Sequence, residues 1–191
     1  NFINPFVVFF VVSPIASKLG QQYGKKETAV GGLLFGAILF FALYFIEPQN
    51  VFVFIGLASL AFVGLDIFNA LVWAMVTDVI DDIEVKTHSL DDGTVYAINS
   101  FARKLGQAIA GLIAGFALAY TRYQTGVGEE IITQSAETIS GIYTVTTLGS
   151  AVGYLITALF VWFIYPLNKK RTLDNQQILS DRRNSSVEEN K

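Results

Sequence analysis

Asp66, Asn69, Trp73 and Thr77 follow one another at spacings of three, four and four residues, and Tyr96, Asn99, Ser100, Arg103, Lys104 and Gln107 fall at i, i+3, i+4, i+7, i+8 and i+11. On an α-helix each set lines one face. The groups are cations, a carboxylate, amides, hydroxyls and aromatic rings, which suit the hydroxyls and C–H faces of a carbohydrate. Bond-making chemistry is poorly supplied. The 191 residues contain no Cys and a single His, His88, so a thiolate nucleophile and a zinc-ligand cluster are excluded. No Ser–His or His–carboxylate set stands at usable spacing, which weighs against an embedded enzyme built on Asp66 and the carboxylates at 78 to 84. The stripes predict a binding surface with no catalytic residue, no metal site and no cofactor.

The elements carrying these stripes are apolar. Hydrophobic residues make up 52% of the chain and charged residues 15%, against ~25% charged in ordinary soluble domains. No charge occurs in residues 1–17, 28–46, 48–65, 105–121 or 138–168. That distribution predicts an all-α, polytopic membrane bundle of about five transmembrane helices, placed at roughly 2–17, 28–46, 51–77, 94–120 and 139–166. Residues 1–167 form the bundle, and the polar tail 168–191 reads as disordered cytoplasmic chain. Lys18, Lys25, Lys26, Lys86, Lys169, Lys170 and Arg171 fall on one side and Arg122 on the other, so the first side is cytoplasmic, with the N-terminus outside and the C-terminus inside. A net charge of −3 without a long basic run argues against nucleic acid as a partner; the lipid bilayer is the partner expected. Asn1 opens directly into an apolar run with no charged stretch before it, which reads as a piece cut from a longer chain rather than a signal peptide.

Depth gives the stripes their meaning. Asp66 lies ~22 Å from the outer end of its span and Lys104 ~15 Å from the cytoplasmic end of its own, too deep for easy snorkelling. An ionised group at mid-bilayer costs ~2.5–3.5 kcal/mol, so both should face partners or a watery cavity. For Asp66 a structural contact between helices is the competing reading, and Arg103 has the alternative of bridging to the acidic loop. The glycine pairs Gly32/Gly36, Gly111/Gly115 and Gly149/Gly153 read as close helix packing within one polypeptide.

Residues 73–93 carry Asp78, Asp81, Asp82, Glu84, Asp91 and Asp92 against Lys86 alone, and the loop 18–27 carries Lys18, Lys25 and Lys26 against Glu27. Asp78, Asp81 and Glu84 with Lys25 and Lys26 are expected to form a cytoplasmic latch. A merely solvated cluster is the alternative.

The run W-A-M-x-x-D-x-x-D-x-x-E at 73–84, Gly93, Tyr96 and F-A-R-K-x-G-Q-A at 101–108 resembles the glycoside-pentoside-hexuronide:cation symporters, the melibiose-carrier-like branch of the major facilitator superfamily. The resemblance implies the C-terminal half of a twelve-helix fold, about helices eight to twelve, with an N-terminal helical half as partner. It implies Lys104 in a central cavity with Asn99 and Ser100 lining the sugar pocket. It also places the carboxylates for the coupling cation, Na⁺ or H⁺, mainly in the other half. Two positions depart from the family pattern: Asn69 stands where an aromatic residue contacts sugar, with Trp73 one turn on, and Leu90 replaces a loop arginine. The expected function is sugar:cation symport across the bacterial inner membrane by alternating access, with Lys104, Asn99, Ser100, Asn69, Trp73, Arg103 and Asp66 on the substrate. The alternatives are a major-facilitator exporter of drugs or peptides and a non-functional truncated fragment.

Overall fold

A computed structural model describes residues 8–89, 92–124 and 133–189. Residues 2–7 of the first expected span, with Pro5, lie outside them, as do Leu90, Asp91, residues 125–132 and the last two of the tail. The described residues contain helices and no strand. A π-helical turn, Val8–Val12, leads into α1 (Ser13–Tyr23), followed by α2 (Lys25–Ile46), α3 (Val51–Thr87), α4 (Asp92–Tyr120), α5 (Ala136–Ile164) and α6 (Lys169–Glu189). Four of these, α2 to α5, are long and apolar enough to cross a membrane.

Local chemistry sets the ends. Pro14 occupies the first turn of α1, where its missing N–H costs nothing. The polar loop expected at 18–27 shrinks to one residue: Gly24, at φ 114°, breaks the chain between α1 and α2 in a conformation that glycine adopts without penalty. Asn50 caps α3 by accepting from the Phe52 N–H at 2.9 Å, and Ser135 caps α5 by accepting from the Thr138 N–H at 3.1 Å. At ~1.5 Å per residue α3 runs ~55 Å, far beyond the ~30 Å hydrocarbon core, so its last turns project past the membrane. The stretch from 78 to 87, expected as loop, is therefore helical, closed at His88 in the left-handed region. No glycine or proline interrupts residues 65–87.

The core sits where α2 is wrapped by α3 and α5. Leu33, Ala37, Phe40 and Leu43 of α2 pack on Ala61 of α3 and on Ala151, Tyr154 and Ala158 of α5. Phe40 stands edge-on to both Phe62 and Tyr154 at ring separations of 5.5 Å. In lipid such packing rests on van der Waals fit, and the small residues deliver it. A Cβ on Gly64 would overlap the Gly32 carbonyl oxygen, and one on Gly36 would come within 2.7 Å of the Tyr154 ring and 2.8 Å of the Ala61 carbonyl. Gly32 and Gly36 thus make the close packing within one chain that their spacing predicts. Gly111, Gly115, Gly149 and Gly153 have nothing within 4 Å of a built Cβ. A second cluster joins Ala16, Ala29, Leu71 and Met75 of α1, α2 and α3.

The tail is not disordered chain over 169–189. Asn168 accepts from the Arg171 N–H at 2.9 Å as the N-cap of α6. Low hydrophobicity alone suggested disorder, but α6 docks through polar groups that match the end of α3, and Leu167, Asn175 and Leu179 are buried.

Candidate functional site

Two arrangements carry the residues whose types suggested function. The first is a face formed by α3 and α4. Tyr96 and Arg103, one helical face apart by seven residues, both reach Trp73: the Trp73 and Tyr96 rings lie 6.4 Å apart, and the Arg103 guanidinium sits 5.0 Å from the Trp73 ring centre. The two polar stripes meet at this level. Arg103 stacks on the indole instead of bridging to the acidic loop, and an Arg–Trp stack of this kind contributes ~0.5–2 kcal/mol.

The rest of the face is open. No residue of α4 is buried; it meets α3 at Trp73, through Tyr96 and Arg103, and Thr121 just beyond it meets Gly141 of α5. Lys104, Ser100 and Asn69 are exposed, Asn99 and Asp66 half-buried. Trp73 is 46% exposed, so one side of its ring remains available after the contacts with Arg103 and Tyr96. The structure brings together Trp73, Tyr96 and Arg103. It forms no hydrogen bond or ion pair among the described residues that joins Asp66 or Asn69 to Lys104, Asn99 or Ser100.

The second arrangement is ionic and lies at the projecting end of α3. Lys25 Nζ donates to Asp78 Oδ1 at 2.6 Å and to the Ala74 carbonyl at 3.4 Å, and Asp78 is 3% exposed. This is the pairing expected of a latch. Lys26 takes no part in it: its ammonium donates to the Tyr165 carbonyl at 2.8 Å and lies 5.4 Å from the Trp162 ring. Successive residues in the first turn of α2 point ~100° apart, which sends Lys25 to α3 and Lys26 to the end of α5. The Tyr165 hydroxyl in turn donates to the Met75 carbonyl at 3.2 Å. Tyr165 lies just beyond α5; burial, with Asp78, Asp82 and Glu27 nearby, pushes its phenol well above the usual value.

Glu84 pairs with Arg183 of α6 at 3.5 Å, and Asp81 lines a cleft with Gln176, Leu179, Ser180 and Arg183 of the same helix. Both lie against α6, and among the described residues neither forms an ion pair with the lysines of α2. The residue that the sequence pattern passed over is Asp82. It is 7% exposed and accepts from Lys86, from Arg171 Nε at 2.9 Å and from Asn175 Nδ2 at 3.0 Å. A signal existed: Asp78, Asp82 and Lys86 stand at four-residue intervals, the spacing of one helical face, once α3 is continued beyond 77.

The family described as MFS/sugar transport protein matches residues 2–169 of the chain. The uncharacterized symporter YjmB of Bacillus subtilis (strain 168) is 33% identical over 165 residues, covering 86% of this chain and 34% of that protein. A putative sulfoquinovose importer of Salmonella typhimurium is 34% identical over 79% of this chain and 31% of its own length. A putative 2,3-dihydroxypropane-1-sulfonate exporter of the same organism is 33% identical over 78% of this chain and 31% of its own length. The chain spans about a third of the length of these curated relatives.

Proposed function

The chain belongs to the MFS/sugar transport protein family, a family of transporters and not of enzymes, and from this premise we propose that the whole protein carries an anionic, polyhydroxylated compound together with Na⁺ or H⁺. The class is that of glycosides, pentosides and hexuronides, with acidic members preferred. This chain is a multi-pass membrane segment and in this reading forms part of the C-terminal half of the carrier. A preceding helical half supplies the other wall and most of the cation ligands. The two rock about a midplane site in the bacterial inner membrane, with the C-terminus cytoplasmic.

The observation that carries this reading is the stack of Arg103 on Trp73 beside Lys104. Two adjacent cations on one membrane helix, with no carboxylate partner among the described residues, favour a ligand that brings its own negative charge. The names of two relatives specify sulfonated ligands, which fits. Lys104 meets the acid group, Arg103 is aimed by the indole, Asn99, Ser100 and Asn69 reach hydroxyls, Trp73 packs against C–H faces, and Asp66 accepts from a hydroxyl at mid-membrane. Asp78 and Lys25 form the cytoplasmic latch, while Asp81 and Glu84 lie against α6. Because one relative is named an importer and another an exporter, the direction of net transport follows the imposed gradients in this reading.

The test is counterflow of radiolabelled sugars in proteoliposomes carrying the full-length protein. An acidic sugar should exchange, and Lys104→Ala should abolish that exchange while a neutral analogue is affected less. Unchanged exchange of acidic sugars by Lys104→Ala removes Lys104 from the site; exchange of neutral sugars alone removes the acidic class.

A further inference from the structure

The latch at Asp78 is not the only hold on the end of α3. One turn further, Asp82 points to α6 and is met there by Arg171 and Asn175, with Arg171 Nη2 at 3.4 Å from its second oxygen. Beyond the Glu84 carbonyl, which accepts from the His88 N–H at 3.0 Å, the last carbonyls of α3 lack helical partners, as those of any helix do. Arg182 supplies donors: its guanidinium lies 3.2 Å from the Val85 carbonyl and 3.4 Å from that of Glu84. Arg171, Asn175, Leu179 and Arg182 fall at i, i+4, i+8 and i+11 of α6, so one face carries the charge partner, the amide, the buried apolar residue and the cap. The N-terminal end of α6 is tied as well, through Lys169 donating to the Gln22 carbonyl of α1 at 2.9 Å.

We propose that α6 is a clasp that positions the latch: anchored on Asp82 and on the carbonyl end of α3, it holds the projecting turns of α3 rigid so that Asp78 stays in line with Lys25. Asp82 is a positioning residue and touches no substrate. Lys25 and α6 grip α3 from different elements one turn apart, so releasing the outer grip frees the helix end on which Asp78 sits. A protruding helix end with only one lateral contact would fray. The role in transport rests on the latch reading above; the docking of α6 by Asp82 does not.

The experiment uses the full-length protein on a cysteine-less background, with one cysteine introduced at a time and maleimide labelling from the cytoplasmic side. Leu179→Cys reports the clasp, being a buried residue of α6, and Met75→Cys reports the latch, being buried one turn before Asp78 in the cluster with Ala16, Ala29 and Leu71. Adding Asp82→Asn, or Arg171→Gln as a second and milder variant, should raise labelling of both cysteines about tenfold or more, with retained sugar binding confirming the fold. Protection of Leu179→Cys in both variants overturns the clasp. Exposure of Leu179→Cys with Met75→Cys still protected overturns its positioning role. Asp78→Asn should expose Met75→Cys and leave Leu179→Cys protected; if it exposes neither, the latch reading fails while the docking of α6 stands.

Discussion

Lys25 and Asp78, 53 residues apart in the chain, meet at 2.6 Å where the first turn of α2 crosses the projecting part of α3, with the carboxylate almost wholly buried and the ammonium about 29% exposed. The asymmetry of burial decides what mutation does. Removing the lysine leaves a buried carboxylate without its cation, which costs ~3–5 kcal/mol, whereas removing the charge of the carboxylate frees a lysine that can reach water. Lys25→Ala should therefore lower thermal stability in detergent more than Asp78→Asn, and the double variant should be more stable than Lys25→Ala alone. Equal losses in the two single variants, adding in the double, would mean that the pair is not coupled.

The Arg103–Trp73 stack gives a second prediction. Trp73→Leu keeps an apolar residue but removes the ring face, and the stack is worth ~0.5–2 kcal/mol, or roughly a 2- to 30-fold change in affinity if it orients Arg103 for the ligand. Trp73→Leu should weaken binding of an acidic sugar within that range, and Trp73→Phe should recover part of it. Equilibrium binding by isothermal calorimetry checks both; equal affinity in Trp73→Leu assigns the stack to structure alone.

The glycines separate into two kinds by their surroundings. Gly64 faces the Gly32 backbone with no room for a methyl group, while Gly149 and Gly153 face open space. Gly64→Ala should destabilise by ~1–3 kcal/mol through forced separation of α2 and α3. Gly149→Ala should be neutral for the packing of this segment, with a gain in helix propensity of up to ~1 kcal/mol. Midpoints of thermal unfolding, compared in one detergent, test the contrast.

Much of this was legible in the residues. The charge-free stretches marked the apolar helices, and the motif at 73–111 pointed to the family to which the chain belongs. What escaped has physical causes. The tail composition says that α6 cannot bury an apolar face, but stability came instead from guanidinium and amide groups fitting Asp82 and the carbonyls of α3, a complementarity between segments about 90 residues apart. Lys25 and Lys26 are chemically alike, and only the start of α2 at Lys25 decides that they diverge. The stripe on α4 was readable from spacing, yet which of its members meet Trp73 depends on how α4 leans on α3, which spacing does not encode.

The last prediction concerns Tyr165, whose hydroxyl ties the end of α5 to the Met75 carbonyl while its own carbonyl receives Lys26. Burial favours the neutral phenol, so the folded form holds its proton more tightly than the unfolded chain, whose value is near 10.0. The sign follows from linkage: below about pH 10 both states are protonated and the contribution is complete, and as pH rises above that the unfolded state loses its proton first, so stability falls. Spectrophotometric titration should place Tyr165 above the ordinary tyrosine value. Tyr165→Phe should cost ~1 kcal/mol at neutral pH by removing one hydrogen bond, and it should flatten the decline in stability between pH 10 and 11. A variant whose alkaline decline matches that of the parent would show that the phenol is not held neutral by its contact with α3.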